Sequence, residues 1–195
     1  MAKKRVGTVF LTLIVALGVC LLAGYISGYP ALSKAPFGFV IDLPVGNYLG
    51  ENFQVISSGA VSYFYSDQIA RPVFFPPEWV LSPVWLGLFA LMGLTLFFII
   101  EAGIRRGEVM LGLILFIAQI AFLMAWEYNF FLTHTMFFAL MFAIALAATL
   151  LCAVIQIARV SVPGGLLMVP CLLWVIYLGY FTWGLMMLNK FPLNV

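Results

Sequence analysis

Five long apolar runs leave this chain few ways to fold. They cover roughly residues 6–27, 78–101, 109–128, 134–158 and 163–188. About 20 consecutive apolar residues suffice to cross the hydrocarbon core of a bilayer as a helix. Lipid offers no hydrogen bonds, so a spanning backbone must satisfy its own, and helices do this within one segment. The alternating segments of about ten residues that mark a membrane barrel are absent. The sequence therefore predicts an all-α membrane protein, a five-helix transmembrane bundle in one domain. The rest of the composition agrees. Of 195 residues, 65% are hydrophobic and 8% charged, against about 25% charged in a soluble domain. The mean hydropathy is +1.16.

The connections carry the remaining information. Residues 28–77 form a long first loop with Pro30, Pro36, Pro44 and many aromatic residues. A disordered linker would lack the aromatics, so a partly ordered cap on the membrane surface is expected, with a short amphipathic helix near 51–70. The other connections are short, which predicts antiparallel packing of neighbouring spans. Lys3, Lys4, Arg5, Arg105, Arg106 and Arg159 fall on one side of a five-span chain, and Lys34, Arg71 and Lys190 on the other. The positive-inside rule puts the N-terminus in the cytoplasm and the 28–77 loop outside. No basic run is large enough for a nucleic-acid surface. The cysteines Cys20, Cys152 and Cys171 lie in apolar runs without metal-binding spacing and read as small buried hydrophobes.

Candidate site residues come from aromatic stripes. The second span opens with PPEWVLSPVW, Pro76 to Trp85. Pro76 and Pro77 suit a helix entry, Pro83 should bend the helix, and Trp79 reads as an interface anchor. Trp85, Phe89 and Met92 share one helix face. In the third span Gln119 and Trp126 are seven residues apart, and a mid-membrane glutamine should face the bundle interior. In the fifth span Pro170, Trp174, Tyr177 and Phe181 repeat at i, i+4, i+7 and i+11. Turned inward, these stripes would line an aromatic pocket with a few polar points. Turned outward they would be lipid-facing belts, and spacing alone leaves both readings open. Ala139, Ala143 and Ala147 form a small-residue ladder for close helix contact, within the bundle or across a homodimer. Glu127 reads as an interfacial charge, and His134 as a helix-end polar residue.

PPEWVLSPVWLGLFALMG resembles the second-helix signature of the TspO/translocator protein (tryptophan-rich sensory protein, MBR) family, approximately PPxWVxxPVWxxLYxxMG. The match takes in Pro76, Pro77, Trp79, Val80, Pro83, Val84, Trp85, Leu88, Met92 and Gly93. Arg71 to Phe74 resembles the family's KPSW. Gln119, Ala121, Ala125 and Trp126 resemble its QxAxNxxW. Pro170, Leu173, Trp174, Leu188 and Asn189 resemble its fifth-helix ending. The chain departs from the pattern at Leu123, where the family has asparagine, at Glu127-Tyr128, and at Phe142, where an acidic residue is usual. No Lys or Arg follows Tyr177 or Tyr180 within five residues, so a sterol-associated pattern is missing. The resemblance implies a multi-pass membrane receptor-like protein binding porphyrins or other tetrapyrroles, with sterol-like lipids second, and a sensory, regulatory or transport-related role. It implies no covalent cofactor. Trp85, Phe89, Met92, Trp126, Pro170, Trp174, Tyr177 and Phe181 would form the wall, Gln119 a polar point, and the 28–77 loop with Trp79 a lid. The competing readings are an assembly or regulatory factor without a ligand, and a light-dependent porphyrin-degrading enzyme.

Overall fold

The computed structural model describes residues 8–22, 69–103 and 107–189, all helix, turn or extended connection without a strand. Five helices follow in order: α1, Thr8–Leu22; α2, Glu78–Glu101; α3, Gly107–Glu127; α4, Met136–Val160; and α5, Val162–Leu188. The last four are long and apolar enough to cross a membrane. The ends of the first span and most of the 28–77 loop, including the expected amphipathic helix, lie outside the described residues. The side chain of Trp79 does too.

Local chemistry sets the helix boundaries. Pro77 stands at the N-cap of α2 in an extended conformation, and the helix runs on through Pro83. Ser161 alone separates α4 from α5. Its hydroxyl accepts from Gly164 N, and Pro163 occupies the first turn of α5, where a missing amide hydrogen costs nothing. At its far end α3 widens into a π-helical turn, Tyr128–Leu132. Asn129 ties this turn together. It donates to Ala125 O at 2.7 Å, while Thr135 Oγ1 donates to its Oδ1 at 2.8 Å. His134 then closes the connection with φ +54°, its Nδ1 3.2 Å from Phe130 O.

The helices do not pack simply in chain order. α4 lies between α3 and α5 with long contacts to both, and α2 packs on α5. Yet α2 and α3 barely meet, although only residues 102–106 separate them. Antiparallel neighbour packing therefore holds for α3–α4 and α4–α5 and lapses for α2–α3, where a cavity intervenes. Ala139 and Ala143 are buried inside the bundle and Ala147 is partly buried against it, so the ladder makes contacts within one copy. Cys20 and Cys171 are buried as expected, whereas Cys152 faces outward, and all three are free thiols. Glu127 is buried against the bundle near the far end of α3, just before the π-helical turn.

α1 seats on α2 at Gly93. A Cβ there would stand 2.9 Å from Leu17 Cα and 3.2 Å from Ala16 O. Backbone cannot yield cheaply, so the crossing needs glycine, as small-residue contacts between membrane helices generally do. Gly93→Val is expected to cost about 1–3 kcal/mol through overpacking. Thermal unfolding in detergent checks this, with Gly87→Val as the comparator, since a Cβ at Gly87 meets nothing within 4 Å.

Candidate ligand-binding site

The cavity sits where four helices converge. α2 contributes Trp85, Leu88, Phe89 and Met92; α3 contributes Gln119 and Leu123; α4 contributes Leu146 and Leu150; α5 contributes Cys171, Trp174, Val175 and Leu178. Helical periodicity explains the first set, since Trp85, Phe89 and Met92 fall on one face and all three are buried. Cys171 Sγ points across to Leu88 O at 3.8 Å. The free volume is about 40 Å³. That is room for a few water molecules at most and well below the roughly 300–1,000 Å³ of a drug-sized site.

Nearly all of the wall is hydrocarbon, which makes its polar atoms conspicuous. Gln119 is 2% exposed, and neither its Oε1 nor its Nε2 has a hydrogen-bond partner. On the facing α5 wall, Trp174 Nε1 is also buried without a partner. An unpaired buried amide or indole N–H costs free energy that the fold must offset elsewhere. Leu123 occupies the cavity wall one turn from Gln119 and adds no polar group. Two donors and an acceptor on Gln119 and one donor on Trp174 thus lie unpartnered on residues of an otherwise aromatic and aliphatic wall.

Five of the residues singled out from the sequence line this space: Trp85, Phe89, Met92, Gln119 and Trp174. Four others lie elsewhere. Trp126 is 1% exposed and forms the hub of a ring cluster behind the cavity. Its ring lies 4.8 Å from Phe130 in a stacked pair and 6.4 Å from Trp85. Its Nε1 donates to Thr182 Oγ1 at 3.2 Å. Phe181 belongs to the same cluster, edge-on to Trp126 and Phe130. Tyr177 contacts Trp174 but sends its hydroxyl to the carbonyl of Phe74. Pro170 faces outward, away from the bundle. The buried residues along this part of α5 include Cys171, Val175, Leu178 and Thr182, each one position on from the aromatic stripe, together with Phe181 and Leu185. Leu88, Leu146, Leu150, Cys171, Val175 and Leu178 also line the cavity. They are plain apolar residues in plain apolar helices and carry no signal of their own.

This arrangement, tryptophan-walled and set between α2 and α5, can be compared with known proteins. A model of the TspO/MBR family matches residues 40–188. The chain belongs to the TspO/MBR family. It is 32% identical over 128 residues to the "Tryptophan-rich protein TspO" of Chlorobaculum tepidum, covering 66% of this chain and 80% of that one. It is 29% identical over 143 residues to the "Translocator protein" of Bos taurus, covering 73% and 82%. The "Translocator protein" of Ovis aries is 29% identical over 150 residues, covering 75% and 86%. This TspO/MBR member is an integral, multi-pass membrane protein. Among its described residues no group of three or more His, Cys, Asp or Glu side chains is placed to hold a metal ion.

Proposed function

We propose that this TspO/MBR protein binds an apolar planar small molecule in the cavity between α2, α3, α4 and α5, with porphyrins and related tetrapyrroles as the first class and sterol-like lipids as the second. One observation carries the reading: the Gln119 amide is buried and unpartnered on both polar atoms, on a residue that lines an apolar cavity. A group left in that state has an evident use as the contact that orients a ligand. Trp85, Phe89 and Trp174 supply aromatic faces on which a flat ring system gains by stacking. A macrocycle needs far more than the present free volume, so binding is expected to part α2 from α3, cavity-lining helices with little contact to each other. The consequence of binding is read as sensory, regulatory or transport-related. The N-terminus is assigned to the cytoplasm on its basic residues. A homodimer belongs to the same reading, and its face must be an outward one, because Ala139 and Ala143 are consumed within one copy.

The test is a titration of detergent-solubilised protein with protoporphyrin IX, followed by quenching of tryptophan fluorescence. Saturable binding is expected, weakened severalfold by Trp85→Phe and by Trp174→Phe. Quenching that never saturates, or that ignores both substitutions, would overturn the proposal.

A further inference from the structure

Residues Ala70 to Phe75 run down the flank of α5. Ala70 is held at the end of that helix, its N donating to Asn189 Oδ1 at 2.9 Å and its carbonyl accepting from Asn189 Nδ2 at 2.8 Å. Pro72 lies on Gly184, where a Cβ would stand 2.7 Å from the proline ring, so only glycine admits so close an approach. The carbonyl of Val73 accepts from Tyr180 and that of Phe74 from Tyr177. Phe75 then turns back, its N donating to Pro72 O at 3.1 Å and its ring packing edge-on against Phe181. At the tip Val73 is 71% and Phe74 81% exposed, the latter with φ +66°.

The depth of this tip follows from helix geometry. α5 has 27 residues, about 40 Å at 1.5 Å per residue, against a hydrocarbon core of about 30 Å. Centred, it overhangs by about 5 Å at each end. Tyr177 lies eleven residues before Leu188, about 16 Å along the axis and so roughly 11 Å inside the hydrocarbon. Helical side chains lean toward the N-terminus, which carries the Tyr177 hydroxyl no shallower. Trp183, half-exposed on the same helix, marks the interfacial belt above it. Arg71 is exposed and follows Ala70, which Asn189 holds, so the same geometry puts its backbone near headgroup height.

We infer that Ala70–Phe75 is a re-entrant hairpin whose Val73–Phe74 tip inserts among the acyl chains of the leaflet at the Asn189 end. Two independent features favour lipid over water. The exposed tip side chains are large and apolar. The carbonyls of Ala70, Pro72, Val73 and Phe74 each have a protein donor, which removes much of the cost of irregular backbone in hydrocarbon and has no such value in water. The lipid contact would brace the segment that leads into α2.

The inference is tested with nitroxide labels on Phe74→Cys and, separately, Val73→Cys, in a Cys152→Ser background reconstituted in phosphatidylcholine vesicles. Ile176→Cys, on the outward face of α5, is the lipid reference, and Glu108→Cys, exposed at the start of α3, the aqueous one. Collision rates with oxygen and with a water-soluble nickel chelate are compared. At 73 and 74 oxygen is expected to dominate, as at 176. Nickel collisions matching those at 108, at whichever tip position yields folded protein, would put the tip in water and overturn the inference. Low collision rates with both reagents would place it against protein and overturn it equally.

Discussion

Replacing Gln119 with leucine will raise the stability of the protein and weaken its grip on protoporphyrin IX in the same variant. The stability gain has a plain cause. Both polar atoms of Gln119 are buried without partners, and removing such a group returns its desolvation penalty, about 1–3 kcal/mol. Leucine is close enough in size to keep the wall filled. The affinity loss follows if the amide bonds the ligand. A net hydrogen bond of about 0.5–1.5 kcal/mol corresponds to roughly two- to tenfold in Kd. Thermal unfolding and the porphyrin titration on the same preparation check both halves. A destabilised variant would mean that the amide is already satisfied. A stabilised variant with unchanged affinity would take Gln119 out of ligand contact.

Trp126→Ala will produce the largest loss of stability among single substitutions at the five tryptophans, without acting through the cavity. Trp126 is almost fully buried and touches the rings of Trp85, Phe130, Phe131 and Phe181. Truncating a buried tryptophan costs about 3–5 kcal/mol, and aromatic pairs add about 0.5–1.5 kcal/mol each beyond area. Trp126→Phe keeps most of that packing and forfeits the bond to Thr182, about 1 kcal/mol. Thr182 retains a partner through its own donation to Leu178 O. The expected result is a variant that unfolds a little sooner and binds porphyrin as the wild type does. A large affinity loss in Trp126→Phe would put this ring in the ligand wall.

The contrast between Trp126 and Trp174 marks how far the sequence could be read. The existence of long helices was legible because hydrocarbon demands about 20 apolar residues and closed backbone bonding. Charge gave no comparable handle on which face of each helix turns inward. In a soluble helix the polar residues mark the outside. In lipid both the core and the solvent are apolar, and helix association is driven by packing rather than by hiding hydrocarbon. On α5 two adjacent stripes, Pro170–Trp174–Tyr177–Phe181 and Cys171–Val175–Leu178–Leu185, are therefore equally plausible as a core face, and only the assembled bundle divides them: the second is buried throughout, while of the first Trp174 lines the cavity, Phe181 is buried and Pro170 faces outward. Gln119 is the exception. A polar group in mid-membrane has one economical direction, inward, and it is the residue whose position was read most securely.

The chain by itself determined that the protein is helical and membrane-spanning, where four of its helices run, its family through PPEWVLSPVW and its companion motifs, and the inward placement of Gln119. These follow from rules local to one segment. The tertiary structure alone decided that α2 and α3 stand apart around a cavity, that Trp126 is a packing hub while Trp174 faces the void, and that Tyr177, Tyr180 and Asn189 hold the hairpin before α2. Each of these depends on how helices distant in sequence are rotated against one another. An apolar surface in an apolar solvent carries no local mark of that rotation.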